Sequence, residues 1–238
     1  MTEDYNANIA HHYNAYRPPL HQVILAKCLK PGTVYGNGLD IGSGTGQSSV
    51  ALADFCEKIT GAEPGKEMLA KAIGHSKVSY VHFDSINLPF ADSSFDLVTF
   101  AGSLFYAKSQ RMLNEVVRVC LPNAIVIAYD FKVLFHELPF GFDLPVEAAD
   151  YDHRASFSGL AMNGLRETDS FVSDYQLAAS AENLAHLLLT ARSFYNYFAE
   201  RYRAKDPHSP LVEELEKHSA AHTTDARLYA TVYKVGAK

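Results

Sequence analysis

The sequence predicts a doubly wound α/β fold built on a mostly parallel sheet, and three observations carry that prediction. Short, nearly continuous apolar runs alternate with helical segments through the first half of the chain, the pattern of strands covered on both faces. A glycine-rich turn, Gly42-Ser43-Gly44-Thr45-Gly46, stands between the first such run and the helix after it. Acidic residues, Glu63 and Asp84, close the next two runs. In a sheet of this kind ligands sit beyond the carboxyl ends of the strands where the strand order reverses, and the first strand-to-helix turn is usually that place.

The elements follow in order. Residues 1–30 read as a polar arm and then a helix that opens at Pro18 and Pro19, where a missing N–H costs little. Leu20, Val23, Ile24 and Leu29 fall at helical spacing, and Pro31-Gly32 ends that helix. Strands are expected at 38–42, 58–63, 78–84, 94–102 and 123–131, with helices at 47–56, 66–74 and 109–120. The last of these helices turns Met112, Leu113, Val116, Val117 and Cys120 inward. After Phe131 the alternation breaks into an aromatic, proline- and glycine-bearing stretch without a period. A strand at 171–178 then precedes one amphipathic helix over 182–202, whose stripe runs from Leu184 to Tyr202. A further helix begins near Pro210, and "RLYATVYKV" (227–235) alternates as a half-buried antiparallel edge strand. The expected layout is a single domain over 1–238, with a core at 36–131, a partly helical lid at 132–226 and the last strand at 227–235.

Composition limits the function classes. The chain has 238 residues, 47% hydrophobic and 20% charged, as in an ordinary folded protein able to bury a sizeable core. A net charge of −6 argues against a broad nucleic-acid footprint, which needs clustered Lys and Arg, so neither DNA nor RNA is expected as a partner. The basic stretch "ERYRAK" (200–205) reads as a solvated helix face. No apolar run nears the roughly 18 residues that span a bilayer, and "MTEDYNANIAHH" is unlike a secretory signal. A cytoplasmic protein without membrane contact, monomeric or homodimeric, is expected. Cys28, Cys56 and Cys120 lie far apart in apolar surroundings, as buried thiols do.

The glycine turn has a specific chemistry. A dinucleotide fingerprint needs G-x-G-x-x-G, and the register fails here: Gly42 leads to Gly44 and then Gln47, Gly44 to Gly46 and then Ser49. The pattern is instead D-x-G-x-G-x-G, with Asp40 inside the strand end. A carboxylate there would repel a pyrophosphate and suit a ligand carrying an ammonium and a sulfonium, which points to S-adenosylmethionine. Glu63 falls at about the spacing at which an acid meets ribose hydroxyls, and a carboxylate can accept from both. Asp84, followed by Ser85 and Ile86, could accept from an adenine amino group while an apolar neighbour covers the ring.

The strings "LDIGSGTG", "GAEPGKEML", "FDSINLPFADSSFDLV" and "LNEVVRVCLPNAIVIAYDF" run in this order through residues 36–131. In them the chain resembles the class I S-adenosylmethionine-dependent methyltransferases of the small-molecule, type 11-like kind. The resemblance implies a Rossmann-like sheet of seven strands with an antiparallel last strand. It implies that Asp40, Gly42, Ser43, Gly44 and Gly46 surround the methionine part of the cofactor. Glu63 would hold the ribose, with Pro64 and Met68 beside the adenine and Asp84 and Ser85 at its edge. Ala101, Gly102 and Ser103 would floor the space near the methyl group. "HHYNAYRP" (11–18) resembles the family's closing N-terminal segment, in which Tyr13 and Arg17 would meet the cofactor's carboxylate. One departure is Asn123, where a glycine is usual before the fifth strand.

Methyl transfer from a sulfonium needs mainly an acceptor held in line and kept dry, so the sequence names no required catalytic side chain. Among 11 histidines, His11, His12, His136 and His153 have places from which a general base could act; His12, Tyr106 and His136 are the candidates for catalysis or acceptor contact. No pair has metal-ligand spacing, Asp130 alone makes no metal site, and no metal is expected. "TFAGSLFY" stands where amino-methylating DNA enzymes carry Asp-Pro-Pro-Tyr or Asn-Pro-Pro-Tyr, which argues against that acceptor; a small, apolar or aromatic acceptor is expected. Two other readings remain open: a non-catalytic S-adenosylmethionine-binding protein, and a nicotinamide-dependent oxidoreductase that would lack its third glycine.

Overall fold

A computed structural model describes residues 7–135, 141–145 and 151–236. Two short helices, α1 (Ala7–Ala15) and α2 (Leu20–Cys28), lead into the alternating part of the chain. Strands β1 (Tyr35–Ile41), β2 (Cys56–Glu63), β3 (Val78–His82), β4 (Phe95–Ala101) and β5 (Cys120–Val133) alternate with α3 (Gln47–Ala51), α4 (Lys66–Leu69), α5 (Leu104–Ala107) and α6 (Gln110–Val119). Then come β6 (Leu165–Ser180), α7 (Ala181–Leu188), α8 (Arg192–Tyr202), α9 (His208–His218) and β7 (Ala221–Val235).

The seven strands form one sheet in the order β3-β2-β1-β4-β5-β7-β6. The first five are parallel, from Tyr35↔Cys56 to Ile41↔Ala62 between β1 and β2 and from Gly38↔Leu97 to Asp40↔Thr99 between β1 and β4. The order reverses between β1 and β4, so the crevice above their carboxyl ends is the switch point expected of the fold. Gly236 donates to the Gly164 carbonyl, Thr168 to that of Val232, and Arg227 to the Asp174 carboxylate. Along β7 the partner number on β6 rises as its own falls, so the last two strands run antiparallel.

Several elements differ in length from the sequence expectation, each for a tertiary reason. The helix expected over 47–56 stops at Ala51 and passes through a 3-10 turn at Leu52–Asp54, because Phe55 gives its carbonyl to Tyr35 N–H and Cys56 already pairs with β1. The helix expected over 66–74 keeps only Lys66–Leu69, since Ile73 N–H donates to the Thr45 carbonyl at 3.0 Å. The single helix expected over 182–202 is two, separated where Ala191 is extended and the Thr190 hydroxyl donates to the Leu187 carbonyl at 2.7 Å. Its apolar stripe survives the break, because Leu184, Leu188, Phe194, Tyr195 and Phe198 all enter one cluster. β6 and β7 are much longer than the predicted strands. Helix α6 starts where Ser109 Oγ accepts from Met112 N–H and buries Met112, Leu113 and Val116 of the expected stripe together with Val119, while Val117 is partly buried and the buried Cys120 opens β5.

The chain divides into two compact units. One comprises Met1–Pro19, Lys132–Asp150 and Asp174–Arg227, the other Leu20–Phe131, Tyr151–Ser173 and Leu228–Lys238. Of the expected lid, 151–173 therefore groups with the sheet unit and the remainder with the helical unit. The reason is visible at Phe157, which is fully buried, edge-on to Phe100 at 5.7 Å and to Tyr233 at 5.5 Å, with its N–H donated to the Tyr233 hydroxyl. Among the described residues no helix is long and apolar enough to cross a membrane.

Phe157→Ala should lower the unfolding free energy by about 3–5 kcal/mol, the range for a fully buried aromatic truncated to a methyl. Urea unfolding of both proteins measures it, and a loss below about 1 kcal/mol would mean that the 151–173 segment is not part of this core.

Candidate functional site

The site begins at the end of β1. Asp40 is fully buried, and its carboxylate accepts from Ser48 Oγ at 2.5 Å, Ser49 Oγ at 2.7 Å and Thr99 Oγ1 at 3.0 Å. The sequence expects Asp40 to face a cationic ligand directly. In the fold its oxygens are taken by hydroxyls from α3 and β4, and the group ties the far side of the glycine turn to the sheet. Burial raises its carboxyl above the ordinary aspartate range, against the pull of those three hydroxyls and with a smaller push from Glu63.

The glycine turn closes on β2. Gly42 and Ser43 donate their N–H groups to the Ala62 carbonyl at 2.8 and 3.2 Å. Gly44 donates to Glu63 Oε2 and Gly65 to Glu63 Oε1, both at 2.8 Å, so one carboxylate joins the turn to the start of α4. Gly46, at φ 90°, caps α3 against the Tyr80 ring, where any side chain would strike the phenol. Tyr80 Oη in turn donates to the Ile73 carbonyl at 2.8 Å. Gly44 differs: at φ +56° nothing stands within 4 Å of where a Cβ would project, so the backbone there is open to a ligand.

The other predicted residues fall on the same edge with different duties. Asp84 is exposed and turned into its own loop, accepting from the N–H groups of Ile86 and Asn87 and from the Asn87 amide, which holds its carboxyl below the usual range. Ser85 is the left-handed residue of that turn, at φ 66°. Pro64 follows β2, and Met68 and Ile86 are exposed apolar side chains after β2 and β3. Ala101, Gly102 and Ser103 end β4, where Ser103 Oγ donates to the Ile41 carbonyl beside the glycine turn. Phe105 and Tyr106 are likewise exposed, so four of the six exposed large hydrophobics among the described residues follow the carboxyl ends of parallel strands. The carboxyl ends of the strands are where a sheet of this kind binds its ligands.

Sequence reasoning names His153 and Tyr106 as candidates but misses how they are grouped around β5. Tyr151 Oη donates to the Gly102 carbonyl at 2.6 Å, and its ring packs on Phe105 at 4.7 Å and Tyr106 at 5.9 Å. Asp130 Oδ2 meets His153 Nδ1 at 2.7 Å, and the His153 ring stacks on Tyr229 at 5.6 Å. A cavity of about 230 Å³ adjoins His153, walled by Arg154, Phe171, Val172, Tyr229 and Thr231. The pairing of Asp130 with His153 crosses an irregular segment, and no local pattern announces it.

Four further predicted residues belong to the helical unit or lie outside the described residues. Tyr13 lies in α1 with its side chain outside the described residues, and Arg17 follows α1, half-buried; both belong to the helical unit. His136 lies outside the described residues. His12, the remaining catalytic candidate, is buried in the helical unit against His186 and His208, where burial holds His12 below the ordinary histidine value and His186 down to about 4.

Residues 39–128 match the family model described as a methyltransferase domain. The demethylmenaquinone methyltransferase of Clavibacter sepedonicus is 35% identical over 99 residues, covering 40% of this chain and 40% of that protein. The sterol 4-C-methyltransferase strm-1 of Caenorhabditis elegans is 35% identical over 100 residues, 39% of this chain and 30% of that protein. The chain thus spans less than half the length of these relatives. The structure of a putative type II methyltransferase from Anaeromyxobacter dehalogenans superimposes with a TM-score of 0.62 at 20% identity, over 93% of this chain and 97% of that one. The resemblance to class I methyltransferases holds in the family model and in the fold, including the sheet with its antiparallel last strands.

A carboxyl whose folded pKa is raised contributes its stability below the ordinary aspartate value and loses it as pH rises through the folded value. Asp40→Asn should therefore flatten the decline in unfolding free energy as pH rises above the ordinary aspartate range, with Thr99 turning its proton to the Leu39 carbonyl, 3.5 Å away. Denaturant titrations across that range check it; parallel curves for the two proteins would refute the burial argument.

Proposed function

We propose that this chain, whose residues 39–128 match a methyltransferase domain, transfers a methyl group from S-adenosylmethionine to a small apolar or aromatic molecule. The observation that carries the reading is the Glu63 carboxylate bridging Gly44 and Gly65 at the sheet's switch point, beside open space before Gly44. The residues present fit the cofactor. Each Glu63 oxygen accepts one N–H and keeps a lone pair for a ribose hydroxyl. Pro64, Met68 and Ile86 offer apolar cover for an adenine, with Ser85 and the Asp84 turn at its edge. Gly42, Ser43, Gly44 and Gly46 make the turn that would meet the methionine part, with bare backbone at Gly44. Asp40 acts at one remove, by fixing the turn.

Bound there, the cofactor would supply a methyl group on a sulfonium that is already activated by its positive charge. The chain's part is to orient the acceptor, exclude water and receive a proton. Ala101, Gly102 and Ser103 set the floor. Phe105, Tyr106 and Tyr151 form an aromatic wall of the size that a planar or ring-bearing acceptor needs, in accord with relatives named for a demethylated quinone and a sterol. His153 is the base: with Nδ1–H donated to Asp130, its Nε2 is left to accept a proton from an acceptor hydroxyl. An in-line displacement then needs no further side chain.

Calorimetry with S-adenosylhomocysteine tests the cofactor reading. Glu63→Ala should weaken binding at least tenfold, about 1.4 kcal/mol, and normal binding by the variant would remove Glu63 from the ribose. A panel of phenols, demethylated quinones and sterols tests the reaction, through accumulation of the homocysteine product; tight cofactor binding without turnover on any of them would favour a binding protein. With an active acceptor, His153→Ala should cut kcat at least tenfold while leaving cofactor affinity unchanged.

A further inference from the structure

Within the helical unit three histidines converge from distant parts of the chain, and their use goes beyond methyl transfer. His12 comes from α1, His186 from the last turn of α7, and His208 opens α9. One ring nitrogen from each lies within 4.8 Å of the other two. Nδ1 of His12 stands 2.9 Å from Nδ1 of His186, although 174 positions separate the two residues. The His186 and His208 rings are 4.1 Å apart between centroids and the His12 and His208 rings 5.3 Å, while Nε2 of His208 is buried without a hydrogen-bond partner. Side chains of His12 and His186 are almost wholly buried.

We propose that His12, His186 and His208 form a binding site for one divalent transition-metal ion, zinc by preference, that clips α1 to α7 and α9. Three imidazoles suit zinc, cobalt, nickel and copper, and leave a fourth position for water or a carboxylate. Two nitrogens on one zinc at about 2.0–2.1 Å stand about 3.4 Å apart, so a modest ring adjustment converts the present spacing into a ligand set. The surroundings match a metal's outer shell. His12 turns Nδ1 to His186, and its other nitrogen, Nε2, lies 3.5 Å from Asp206 Oδ1 without a hydrogen bond, close enough for the carboxylate to orient the ring once Nε2 carries the proton. Asp206 Oδ1 also accepts the His208 backbone N–H at 3.1 Å, linking two members of the trio. His11 stands 6.1 Å from His186 ring to ring, outside the cluster, and Tyr195 lies 6.0 Å from His12 with its hydroxyl donating to the Lys205 carbonyl. On metal binding through Nδ1, the His12 proton resides on Nε2, facing Asp206, and no electron transfer or bond cleavage is involved.

The test uses the full chain without a histidine tag, stripped with a chelator and titrated with Co²⁺ and then Zn²⁺. The expected result is one Co²⁺ per chain with the intense visible absorption of a four- or five-coordinate nitrogen site, displaced stoichiometrically by Zn²⁺. Affinity should fall at least tenfold in His186→Gln and in His208→Gln, and should not change in His75→Gln, an exposed histidine of the other unit. Zn²⁺ should also slow proteolysis within residues 7–15. Should a Gln variant not fold, the wild-type spectrum still decides. Absence of the cobalt band in the wild type, or a band indifferent to both Gln substitutions, overturns the proposal. So does a nitrogen NMR spectrum in which His12 and His186 remain hydrogen-bonded to each other at saturating Zn²⁺. S-adenosylhomocysteine binding is scored separately, so failure here leaves the methyltransferase reading untouched.

Discussion

A carboxylate inside the sheet organises everything around the glycine turn. Asp40 ends β1, faces Thr99 across the strand pair and collects the hydroxyls of Ser48 and Ser49 from the first turn of α3. Removing a carboxylate from water is expensive unless its lone pairs are met, and three hydroxyl donors around one group meet them. The consequence is positional: β1, β4 and α3 cannot shift independently, so the turn between β1 and α3 keeps one shape. An open loop of three glycines in five residues would otherwise lose much backbone entropy on ordering.

The carboxyl edge of the sheet divides its acids by environment. Asp40 is buried and spends its oxygens on scaffold hydroxyls. Glu63 is mostly buried but holds only two backbone N–H groups, so it remains able to accept from a ligand. Asp84 is exposed and shapes a tight turn of its own. Three acids that look equivalent along the chain thus have three different duties, decided by what surrounds each one. The pairing of Glu63 with Gly44 and Gly65 is the one that both closes the turn and leaves a polar face toward open space.

The alternation of apolar runs and helical segments made the sheet legible. The parallel strands β1 to β5, the switch-point turn and the family resemblance all follow from local pattern, and the structure has them in the expected order. Lengths were not legible. Helix α4 is cut short by the bond from Ile73 to Thr45, and the long amphipathic stripe is two helices because Thr190 turns its hydroxyl back onto the preceding turn. Neither event leaves a mark in hydrophobic periodicity, since the same apolar residues still reach the same cluster. The 151–173 segment lacks any period, yet Phe157 places it in the sheet unit's core.

What the sequence alone determined is the fold class, the position of the glycine turn and the acids at the strand ends, because each depends on short-range chemistry: side-chain alternation, positive φ, and residue type at a fixed offset. What only the tertiary structure decided is which of those acids keeps lone pairs free, how Asp130 finds His153, and how His12, His186 and His208 come together. Those depend on separations that the chain closes only by folding, where burial and hydrogen-bond partners are assigned by packing and not by neighbours in sequence.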